Sequence, residues 1–152
     1  MVSGANRGIG AALARQFHSE GWIVSLGARN VDQLELSTQG WADENVSCHT
    51  YDAFEPASGD AWVQATADLR GRVDGLTNNA GIGHMEGLSD LSEEILDEMW
   101  AVNVKGPLGL IQKALPFLAV SGEGRIVNVV SLSGKRVKGT FAPGYAMTKH
   151  AL

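Results

Sequence analysis

The chain has 152 residues, 44% hydrophobic and 19% charged, with a formal net charge of −5 at pH 7. That length and balance suit one soluble domain over residues 1–152 with a real core. The acidic balance without a basic run argues against a nucleic-acid partner, and no apolar stretch approaches the roughly 20 residues that cross a bilayer, so neither nucleic acid nor membrane is expected.

Met1-Val2-Ser3 reads as the end of a first strand, shorter than the ~5–6 residues usual, which predicts a few residues missing at the N-terminus. A glycine-rich turn, Gly4 to Gly10, leads into a helix over Gly10–Glu20. Trp22–Gly27 reads as a strand, Val31–Gln39 as a helix and Val46–Tyr51 as a third strand. Cys48, the single cysteine, falls on that third strand; it excludes an internal disulfide and fits a reducing cytoplasm. Ala57–Leu69 is helical in period, Gly75–Asn78 is a strand, and a long helical region runs from Ser92 to Leu118. Ser92 is its N-cap, with Glu93 and Glu94 in the favoured acidic first turn. Arg125–Val130 is a fifth strand, and a final helix carries Tyr145 and Lys149 before the sequence ends about two turns in.

Repeated β-α units with short connections predict an α/β fold, a doubly wound parallel sheet in a three-layer αβα, Rossmann-like arrangement. The C-terminal part of such a fold is expected to be missing. His18, His49, His84 and His150 lack metal-ligand spacing, so no metal site is expected.

Gly4-Ala5-Asn6-Arg7-Gly8-Ile9-Gly10 lies between the first strand and first helix. Glycine there permits unusual backbone angles and close approach to phosphate, and the helix behind it points free N–H groups at an anion. Gly4, Asn6, Arg7, Gly8, Ile9 and Gly10 are therefore candidate cofactor residues, although Gly-x3-Gly-x-Gly departs from the Gly-x-Gly-x2-Gly dinucleotide fingerprint. The acidic residue that grips ribose hydroxyls in NAD binders is missing after strand two, where Ala28 and Arg29 stand instead. Arg29 and Arg7 suit the extra 2′-phosphate of NADP, which favours NADP(H) over NAD(H); the plainer alternative is two solvated arginines. Asp32, the nearest carboxylate, is better placed to open the next helix.

Tyr145 and Lys149 stand four apart, so a helix places them on one face. A neighbouring cation favours a phenolate and makes such a tyrosine a usable proton donor or acceptor. Together with the glycine turn, Asn78-Asn79-Ala80-Gly81, Asn103, Ser131 and Tyr145-x3-Lys149 resemble, in order and at suitable intervals, the short-chain dehydrogenase/reductase family.

The resemblance implies that Tyr145 is the general acid/base, with Lys149 binding the nicotinamide ribose and promoting the phenolate. Ser131 would polarise the substrate carbonyl, and Asn103 would anchor a proton-relaying water. Asp52 and the backbone of Ala53 would contact adenine, while Asn79, Ala80 and Gly81 would let the backbone run close to the cofactor. The plainer rivals are that Asn103 satisfies backbone groups in a helix kink, that Asp52 is a turn or cap residue, and that Ser133 is the serine in place of Ser131. Asn78 is expected to be structural. The implied activity is an NADP(H)-dependent interconversion of a secondary alcohol and a ketone or aldehyde. A non-catalytic dinucleotide sensor and an NAD-dependent alcohol dehydrogenase stay open. The partners implied are a small carbonyl or alcohol substrate and a second copy, as homodimer or homotetramer. His84, Met85 and Glu86, with Lys135 to Phe141, are expected to rim the substrate pocket.

Overall fold

The structure is a computed structural model, described here over residues 1–136 and 142–152. A five-stranded, all-parallel sheet runs in the order β3-β2-β1-β4-β5. Its strands are β1 (Val2–Ser3), β2 (Val24–Ala28), β3 (Val46–Thr50), β4 (Gly75–Asn78) and β5 (Arg125–Asn128). The helices are α1 (Gly8–Ser19), α2 (Val31–Ser37), α3 (Pro56–Arg70), α4 (Glu93–Trp100), α5 (Gly106–Ser121) and α6 (Pro143–Ala151).

The alternation of side chains along β2 shows why both faces of the sheet are covered. Val24, Leu26 and Ala28 point one way and join Val2, Ala14 and Leu34 in a core beneath α1 and α2. Ser25 and Gly27 point the other way, onto Trp62 of α3: Trp62 donates its indole N–H to Ser25 at 2.9 Å, and a Cβ at Gly27 would lie 2.6 Å from its ring. Trp62 anchors the second core with Tyr51, Leu76, Leu110, Ala114 and Leu118, which packs α3 and α5 on the sheet. All five β2 residues are buried, as expected of a strand interior to a parallel sheet.

The elements occur in the predicted order, with shifted ends. The second strand begins at Val24, because Trp22 and Ile23 are each 53% exposed, and the fifth ends at Asn128, short of Val130. The first helix begins at Gly8, two residues early. The long helical region is interrupted: a π-helical turn, Ala101–Lys105, stands between α4 and α5. Ser92 does cap α4, accepting from the Ile95 N–H at 3.3 Å. No described helix is long and apolar enough to cross a membrane.

Order 3-2-1-4-5 places the reversal of strand order between β1 and β4, where the chain crosses from one half of the sheet to the other. In an open parallel sheet the crevice for a ligand opens there, beyond the carboxyl ends of the strands.

Candidate active site

The turn after β1 is shaped by two glycines in the left-handed region, Gly4 at φ +65° and Gly8 at φ +57°. Gly10 lies beneath the turn, where a Cβ would collide with the Gly4 carbonyl oxygen and come within 2.5 Å of the Asn79 amide. The turn is tied to the end of β4. Asn79 Nδ2 donates to the carbonyls of Ser3 at 2.9 Å and Gly4 at 3.2 Å, while buried Ser3 Oγ accepts from the N–H groups of Asn79 and Ala80, each at 3.0 Å. Arg7 holds the N-cap position of α1 in extended backbone without a side-chain cap, which leaves first-turn N–H groups free for an anion.

A cleft of about 730 Å³ opens over this turn. Every predicted cofactor residue of the turn and the strand ends lines it, from Gly4 to Gly81, except the supporting Gly10. Arg7 and Arg29 are both exposed there, and among the described residues neither pairs with a carboxylate. Asp32 lies in the first turn of α2 and outside the cleft lining. Asp52 does close a turn, its Oδ1 accepting from the Phe54 N–H at 3.0 Å, and it also lines the cleft. Tyr51, the other of the two tyrosines, is buried against Trp62 at 5.3 Å. Burial, aided by Asp52, pushes its phenol up to about 12, so it stays protonated.

Beyond Gly81 the cleft meets a second group of side chains. A Cβ on Gly81 would stand 3.1 Å from Asn103 Oδ1 and 3.5 Å from Lys149 Nζ. Lys149 is only 6% exposed; it donates to the Val129 carbonyl at 2.9 Å, and its ammonium lies 6.0 Å from the centroid of the Tyr145 ring. Burial holds that ammonium below its ordinary value of 10.5. The Tyr145 ring is half-buried and covers Gly83, whose Cβ position lies 3.3 Å from the ring edge.

Ser131 caps a short 3-10 turn, Leu132–Gly134, its Oγ accepting from the Ser133 N–H at 3.2 Å. That turn docks on α6: a Cβ at Gly134 would collide with the Lys149 carbonyl, and His150 Nδ1 lies 2.6 Å from the Gly134 oxygen. Asn103, fully buried in the π turn, accepts from the Ile82 N–H at 2.9 Å and donates to the Ile82 carbonyl at 2.9 Å and to Thr148 Oγ1 at 3.0 Å. Its side chain is thus a clamp on the strand-end loop rather than a partner for backbone groups of its own helix. Asn78 pairs with Asn128 at 2.9 Å inside the sheet. His84 sits between Glu86 at 3.9 Å and Glu98 at 3.6 Å. Lys138 falls outside the described residues.

Sequence reasoning missed Ser3, Ile82, Val129 and Thr148. Ile82 and Val129 act through backbone atoms, which no side-chain pattern reports. The only signals at the other two are a serine next to the glycine turn and a hydroxyl inside the Tyr-x3-Lys spacing.

A parallel sheet with a glycine cradle at its switch point, facing a Tyr-Lys helix, defines a dinucleotide-binding α/β protein. The model of the short chain dehydrogenase family matches residues 1–152, and the chain belongs to that family. Agropine synthesis reductase of Rhizobium rhizogenes is 42% identical over 153 residues, covering 100% of this chain; the chain spans 35% of that protein's length. Among solved structures, a short-chain dehydrogenase from Streptomyces avermitilis superposes with a TM-score of 0.93 at 28% identity, covering 99% of this chain and 56% of its own. An alcohol dehydrogenase from Thermococcus sibiricus, complexed with 5-hydroxy-NADP, gives 0.91 at 33% identity, covering 99% and 64%.

Proposed function

We propose that this chain is the cofactor-binding and catalytic part of an NADP(H)-dependent oxidoreductase interconverting a secondary alcohol and a ketone or aldehyde. The observation that carries the reading is the juncture at Gly81, where the phosphate cleft runs within reach of the buried Lys149 ammonium beside Tyr145.

The residues fit a dinucleotide. The cleft is roomy, glycines at positions 4 and 8 of its turn carry no Cβ that would hinder a pyrophosphate, and two exposed guanidinium groups, unpaired with carboxylates among the described residues, line it and suit a 2′-phosphate. When bound, the nicotinamide supplies or accepts the hydride. The protein's own residues handle the proton and the orientation. Tyr145 gives its phenolic proton to the nascent alkoxide in reduction and takes it back in oxidation. Lys149 has three N–H donors and gives one to Val129, so two remain for a ribose diol. Ser131 accepts from Ser133, so its own proton is free to polarise a substrate carbonyl. Asn103 is a member of the proposed set through the loop it holds.

Several relatives carry the name of a reductase, and a structural neighbour was complexed with 5-hydroxy-NADP, which supports the same reading. The test is Tyr145→Phe in the full-length natural protein, assayed with NADPH against a panel of ketones and aldehydes. Turnover is expected to fall at least about a hundredfold, the contribution of general acid/base catalysis, with NADPH affinity nearly unchanged. Undiminished turnover would refute the reading.

A further inference from the structure

We infer that Thr148, between Tyr145 and Lys149, is a positioning residue whose hydroxyl fixes the catalytic face of α6 against the π turn. The inference rests on the function proposed above. Thr148 is fully buried, and nothing places it against substrate or cofactor. Its Oγ1 has two partners, each of defined direction. It accepts from Asn103 Nδ2 at 3.0 Å and donates to the Tyr145 carbonyl, one helical turn back, at 2.9 Å.

The directions follow from Asn103. The Ile82 N–H can only donate and the Ile82 carbonyl can only accept, so together they fix which end of the Asn103 amide is oxygen. Its second N–H therefore points at Thr148, which must accept and sends its own proton to Tyr145. One unbroken path then joins the loop after β4, the π turn and the backbone of Tyr145. The same Asn103 oxygen lies 3.1 Å from the Cβ position of Gly81, which lines the cleft.

The π turn serves this arrangement. An extra residue in the helical turn changes which side chains face α6, and such bulges occur frequently at functional sites. A mid-helix threonine hydroxyl that only back-bonds to its own helix slightly destabilises and bends it. Here the hydroxyl also receives a buried amide, so it is a junction between two elements. Valine in its place keeps the shape and leaves one Asn103 N–H without an acceptor.

The experiment uses the full-length holoenzyme with NADPH and the best carbonyl of the panel. Thr148→Val is expected to lower kcat about tenfold or more, as small misplacements of catalytic groups do. The NADPH dissociation constant, read by fluorescence titration, should change less than about twofold, and Thr148→Ser should restore kcat to near wild type. If valine does not fold, Thr148→Ala is read in the same way. A valine or alanine variant with wild-type kcat overturns the inference, and so does a loss matched by equal loss of NADPH affinity. A serine variant as impaired as valine also overturns it. Tyr145→Phe, run alongside, separates the failures: if it stays active, the function and this inference both fall. If it is dead while Thr148→Val is normal, the positioning role alone falls.

Discussion

Gly8 and Gly10 stand two positions apart in one turn, and alanine would harm each for a different reason. Gly8 has open space around its Cβ position but a φ of +57°, so Gly8→Ala should cost about 1–2 kcal/mol in backbone strain alone. Gly10 is confined by the Gly4 carbonyl and the Asn79 amide. Gly10→Ala must move backbone that Ser3 and Asn79 hold in place, and should be the more destabilising in urea titrations; the reverse order would sink the collision argument. Under the proposed NADP(H) reading, Arg29→Ala should shift the ratio of NADPH to NADH affinity, read by titration, toward NADH, because it removes one of two cations from the cleft. A mutant with unchanged preference removes the case for NADP.

Lys149 gives a pH signature. Its folded value lies below 10.5, so between the two values the unfolded chain holds the extra proton and stability rises with pH. The burial penalty is present in full below the lowered value and relieved as pH climbs through it toward 10.5. Lys149→Met should flatten that rise, compared with wild type by chemical denaturation across the alkaline range. The glycine turn and the Tyr-Lys pair were legible in the sequence because backbone freedom and helical spacing depend on local chain chemistry. The bonds that Asn79, Asn103 and Lys149 make were not, since their partners, mostly backbone atoms, lie 20 to 76 residues away.

Among the elements, the run from α4 to α5 shows best where local pattern stops informing. Hydrophobic period and the Ser92 cap identify a long helix, and the chain does form one at both ends. The π turn in its middle is set by what Asn103 reaches, so no propensity in Ala101–Lys105 announces it. Asn103→Ala deletes three hydrogen bonds and leaves polar partners behind. It should cost about 1–3 kcal/mol by urea denaturation and raise hydrogen exchange at the Ile82 amide, whereas an unchanged Ile82 rate would argue against the clamp. Strand ends moved for a comparable reason: Trp22, Ile23 and Val130 are apolar enough to read as strand, but more than half of each is exposed outside the ladder.

At the scale of the molecule, the sheet's flanks differ from its centre. β2 is wholly buried, while Ile126 and Val127 of β5 are 38% and 52% exposed, on opposite faces of the strand. Val127→Lys should therefore reduce self-association of this 152-residue chain in light scattering while leaving its circular dichroism unchanged. β1 is the short strand at the centre, and it pairs with β4 through Val2 and Thr77, 75 positions apart. Closing so long a loop costs chain entropy before the contact rewards it, and the pairing is therefore expected to form late in folding. The glycine turn hangs from that pairing, through Ser3 and Asn79, and is held in place only once it has formed. A dinucleotide can thus recognise nothing but the finished sheet, and its presence should lengthen the native lifetime without hastening the chain's arrival there.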